Sequence, residues 1–106
     1  MKTTYQIAEE ISGQNQIRSA SCYFTINETL VRVANHLPNV ANFSEFNEDA
    51  KDIILVFVND DRSQVTDNEV ENFIEREMGD FNVNYFIVNE EDDLYYAKKM
   101  IEVYTK

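Results

Sequence analysis

At 106 residues, with 43% hydrophobic and 12% aromatic side chains, two glycines and one proline, the chain has the makings of one folded domain and excludes a disordered or linker-like segment. Nine Lys and Arg against twenty Asp and Glu give a formal net charge of −11 at pH 7, a field that repels nucleic acid and anionic membrane, favours basic surfaces and keeps a small protein soluble. The lone Cys22 excludes an intramolecular disulfide, Met1 to Gln6 carry no apolar signal region and the longest apolar run is Ile53 to Val58, so the expectation is a cytoplasmic protein without a membrane anchor.

Ile7, Ala8 and Ile11 recur at helical spacing between Thr4 and Gly13, and Gly13 with Gln14 to Gln16 supplies the stop. From Ser19 the pattern alternates, with Ala20, Cys22, Phe24 and Ile26 on one face of a half-buried strand. Asn27-Glu28 then reads as a tight turn into Thr29 to Ala34, a β-branched strand that pairs back as a hairpin. Val31 and Val33 share one face of it; Leu30, an outward Arg32 and Ala34 share the other.

Residues 35 to 51 lose periodicity and carry four asparagines and the only proline, which predicts a long loop with one helical turn near Ser44 to Asn47. Ile53 to Val58 is apolar on both faces and is therefore the expected central strand. Thr66 followed by Glu69 forms a capping box for a helix buried through Val70, Phe73, Ile74 and Met78 and ended by Gly79. Asn82 to Val88 alternates again, Val83, Tyr85 and Ile87 against Asn84, Phe86 and Val88. Asn89 then caps a last helix whose first turn holds Glu90, Glu91, Asp92 and Asp93 and whose later half holds Lys98, Lys99 and Lys106, an asymmetry that suits the helix dipole.

The predicted fold is a single α+β domain spanning residues 1–106, in the order α-β-β-β-α-β-α: a mixed four-stranded sheet with helices packed mostly on one face.

Little in this chain suits catalysis. One His and one Cys make no zinc set, and Asp60-Asp61 and Glu90 to Asp93 lack the spacing of an EF-hand loop, so no metal is expected. Gly13 and Gly79 alone form no phosphate-binding loop, and no other cofactor is implied. Cys22 and His36 are candidates for a dyad, but no third group completes it.

Two constellations remain. Arg32 and His36, four apart, with the amides of Asn35 and Asn39, can clamp a small anion at a strand end; the plainer reading is that they fix a loop. Glu69, Glu71 and Glu75 on one helix, with Asp92, Tyr95 and Tyr96 on the next, combine carboxylates at phosphate-like separations with aromatic anchors, and point to a basic protein surface as partner rather than to nucleic acid or membrane. Solvated helix faces are the plainer reading here. A third possibility is an assembly protein that dimerises through a sheet edge.

A small acidic α+β chain, rich in Asn and Tyr and carrying Arg32…Asn35-His36-Leu37-Pro38-Asn39 after a hairpin, resembles accessory proteins of phages and mobile elements, among them anti-CRISPR and anti-restriction proteins. These share no common fold or motif, so the resemblance assigns no site residue. It implies a stoichiometric inhibitor that binds a nuclease or its guide complex by mimicking nucleic acid.

Overall fold

The structure, a computed structural model, describes residues 2–18, 22–38 and 52–106. Thr3 accepts the Gln6 amide and Gln6 reaches back to the Thr3 amide, a capping box that starts helix α1 (Thr4–Ser12); Gly13, at φ 63°, ends it in a conformation that favours glycine. Strand β1 (Tyr23–Ile26) begins after Cys22, whose φ of 51° is not that of a strand; of the run expected from Ser19, Ser19 to Ser21 lie outside the described residues. The two-residue turn of Asn27 and Glu28, both at positive φ, leads into β2 (Thr29–Ala34), with the hairpin register running from Tyr23 opposite Arg32 to Ile26 opposite Thr29. The expected loop helix near Ser44 to Asn47, and Asn39, lie outside the described residues.

Beyond that segment come β3 (Asp52–Val58), α2 (Asp67–Glu77), β4 (Asn82–Val88) and α3 (Glu91–Tyr104). The sheet order is β1-β2-β3-β4, antiparallel across the hairpin and parallel from β2 to β4, and this is the mixed α+β arrangement expected.

Cover is needed on both sides of a strand as apolar as β3, and the helices divide accordingly. Ile54, Val56 and Val58 pack with Val31, Val33 and Val88 beneath α1 and α3, through Ile7, Ala8, Leu94, Ala97 and Ile101. Ile53, Leu55 and Phe57 pack on the other face beneath α2, through Val70, Phe73 and Met78. Two of the three helices thus share one face, as expected, and α2 covers the other. α2 begins at the Thr66–Glu69 box, as expected, and closes on Met78 rather than on Gly79, since the Met78 amide makes the last helical bond, to the Ile74 carbonyl.

Candidate functional site

Of the strand-end constellation the structure describes Arg32, Asn35 and His36, Asn39 lying outside the described residues. Arg32, expected to face outward, is only 8% exposed and stands within the ladder between Tyr23 and Leu55. Asn35 and His36 do come together, Oδ1 to Nδ1 at 2.8 Å, just past the end of β2. The main-chain oxygen of Asn35 accepts the Ser63 hydroxyl. Asn35 lines a crevice of about 330 Å3 beside the start of α1.

The polar groups around that crevice are engaged in holding the fold. Lys2 donates to Glu10 at 2.7 Å, and Thr3 caps α1. One oxygen of Asp60 accepts the amides of Arg62 and Ser63, both at 2.8 Å, which holds its carboxyl below the ordinary range. Asn59 accepts from the Val65 amide at 2.7 Å and donates to the Val65 carbonyl at 3.1 Å and to Asn89 Oδ1 at 2.9 Å. Cys22 is buried among the residues beneath α1, its Sγ 3.9 Å from Thr4 Oγ1, whereas His36 is exposed. Among the described residues no cluster of three His, Cys, Asp or Glu is placed to hold a metal.

The acidic and aromatic residues sort differently. Glu69 is turned to its own helix start, where its carboxylate accepts the Thr66 hydroxyl at 3.0 Å and the Thr66 amide at 3.3 Å. Glu71 and Asp67 instead accept from the hydroxyl of Tyr85, at 3.0 and 3.1 Å, which binds α2 to β4. A hydroxyl has one proton, so it satisfies one of these carboxylates at a time. Glu75 follows Glu71 by four residues and extends the row of Asp67 and Glu71 along α2, exposed to solvent.

On α3, Asp93 rather than Asn89 supplies the cap: its Oδ2 accepts the amides of Asn89 and Glu90 at 2.9 and 3.1 Å. Asp92 is exposed, and so are Tyr95 and Tyr96, at 62% and 59%. Lys99 lies 4.8 Å from the centre of the Tyr95 ring. Phe86 of β4 meets Tyr96 edge-on at 6.1 Å and stacks on Tyr104 at 6.3 Å.

α2 and α3 occupy opposite faces of the sheet, and their acidic starts meet at its edge. A cleft of about 390 Å3 runs there between Asp67 of α2, Tyr85, Phe86 and Ile87 of β4, and Asp93 and Tyr96 of α3. Of the residues nominated from the sequence, Tyr96 lines this cleft and Glu71 and Glu75 continue its acidic flank. From the sequence Asp93 reads only as a first-turn acid suiting the helix dipole, and Tyr85, Phe86 and Ile87 only as strand positions. The one signal pointing to them was the unbroken apolar alternation of Asn82 to Val88, which does not say whether a further strand follows.

Comparison with protein-family models, with curated proteins and with solved structures gives no match. Among the described residues no helix is long and apolar enough to cross a membrane.

Proposed function

We propose that the chain is a non-catalytic binding protein of the cytoplasm that engages a basic surface of a protein partner through the acidic, aromatic edge formed by α2, β4 and α3. The observation that carries this reading is the convergence of the two acidic helix starts on one cleft with Tyr85, Phe86 and Tyr96 at its floor and wall. Aromatic anchors ringed by charge are what a protein interface uses, area from the rings and steering from the carboxylates. The resemblance to phage accessory proteins extends the proposal to the kind of partner: a nucleic-acid-directed enzyme of a host defence system, inhibited by occupation of its nucleic-acid site.

Binding of this kind is steered by charge, so its association rate falls with salt, by at least about tenfold between roughly 50 and 500 mM NaCl. Glu75→Lys combined with Asp92→Lys lowers the rate at low salt by a comparable factor, and neither carboxylate has a described intrachain bond. Stopped-flow kinetics with such an enzyme from the host, over a salt series, reads both effects. An association rate indifferent to salt and to the double reversal removes the proposal.

A further inference from the structure

The two ends of the sheet are built differently. β1 is four residues long, and the Arg18 amide donates to the Tyr23 carbonyl at 2.8 Å, so part of its outer edge is already paired. β4 has seven residues, and among the described residues only β3 pairs with it. The Asn59 amide donates to the Val88 carbonyl, so Val88 turns its main-chain groups toward β3. Strand alternation then turns Phe86 and Asn84 the same way and leaves the N–H and C=O groups of Val83, Tyr85 and Ile87 pointing outward. No described hydrogen bond uses them.

An open edge of this length invites pairing, and proteins usually block it with Lys, Pro, a bulge or a covering segment. Asn82 to Val88 contains no Lys, Arg, Pro or Gly. The charges lie instead on the flanking helices, and among the described residues those facing the cleft are acidic: Asp67 with Glu71 on the α2 side, Asp93 on the α3 side. Pairing of β4 with β4 of a second copy would set these acids against their counterparts, in chains that each carry −11. An incoming strand with Lys or Arg meets the opposite situation.

We propose that the open edge of β4 takes up, by strand addition, an extended Lys- or Arg-bearing segment of a partner protein. The inference rests on the acidic-edge reading above and gives it a geometry. Main-chain bonds to Val83, Tyr85 and Ile87 hold the added strand, and its side chains alternate between the two faces. Those on the α2 side reach the Asp67 and Glu71 carboxylates, of which the Tyr85 hydroxyl satisfies one at a time. Those on the α3 side lie along Phe86, Tyr96 and Asp93, where a cation finds ring faces and a carboxylate.

Amide hydrogen exchange followed by NMR tests this on the full chain titrated with two synthetic peptides of equal charge. One alternates Lys with Val; the other alternates Lys with Pro, whose rings fix φ at about −65° and bias the peptide to polyproline II rather than strand geometry, and which has no N–H to donate wherever a Pro faces β4. The expected result is that the Lys-Val peptide slows exchange at Val83, Tyr85 and Ile87 by at least about tenfold, while the Lys-Pro peptide binds more weakly and protects none of them. Equal binding of both peptides without protection overturns strand addition and leaves the charge-steered reading intact. Binding of neither overturns both. Protection of the same amides on raising protein concentration alone, with sedimentation showing a dimer, overturns the choice of a basic segment in favour of a second copy.

Discussion

Tyr85 is where the chemistry of the edge is most concentrated. Burial, foremost, and then its hydrogen bonds to Glu71 and Asp67 push its pKa well above the ordinary phenolic range. It therefore remains a proton donor wherever the two carboxylates are charged. A pKa raised in the folded chain above its unfolded value contributes stability that is fully present below about pH 10 and is lost as pH climbs toward the folded value. Tyr85→Phe is expected to cost about 1 kcal/mol at neutral pH, the worth of a hydrogen bond between β4 and α2. The deficit should shrink above about pH 10, as the wild type loses the same contribution. Urea unfolding of both chains at neutral and alkaline pH measures this; a gap constant with pH would mean that the hydroxyl is not linked to its proton as argued. Sequence alone placed Tyr85 on the correct strand face, opposite Phe86, but its hydroxyl partners lie fourteen and eighteen residues away and leave no local pattern.

At the scale of elements, what was legible is what repeats locally. The alternation of β2 and β4, the doubly apolar run of β3, the helical stripes and the Thr66–Glu69 box each depend on residues within about one or two turns of each other, and each holds in the structure. What was missed depends on partners brought in from afar. Lys98, read as a dipole residue, reaches 3.1 Å to Glu10 and joins α3 to α1, and Lys2 meets the same carboxylate from the other side. Both cations hold the Glu10 carboxyl below its usual range, the Lys2 bond most of all. Asn59 joins three elements at once, the end of β3, the Val65 peptide before α2 and Asn89 after β4. Asn59→Ala removes all three side-chain bonds and leaves the Val65 amide without its acceptor, so a loss of about 2 kcal/mol is expected in chemical denaturation. A change within about 0.5 kcal/mol would show that water replaces the clamp. Which strand ends the sheet, and hence where the open edge lies, was illegible for the same reason: sheet order is decided by crossovers and not by the pattern inside a strand.

For the whole molecule the question is how a net charge of −11 acts on the fold and on binding at the same time. The described ion pairs are few: Glu10 draws Lys2 and Lys98, and on α2 Arg76 meets Glu77 at 2.9 Å. Asp67, Glu71 and Glu75 stand in one row with spacing four, and like charges so placed repel. Self-repulsion of this kind destabilises the compact state and is screened by salt, whereas steering toward a basic partner is weakened by the same salt. Between about 20 and 500 mM NaCl the melting temperature is therefore expected to rise, by about 5 °C if roughly 1 kcal/mol of repulsion is relieved, over the range in which association with a basic partner slows. The opposite signs make the two effects separable in one preparation: calorimetry reads the fold and stopped-flow kinetics read the encounter. If the melting temperature fell with salt, the acidic surface would be held by attractive pairs. The loss of binding would then have to be sought in the fold and not in the field around the β4 edge.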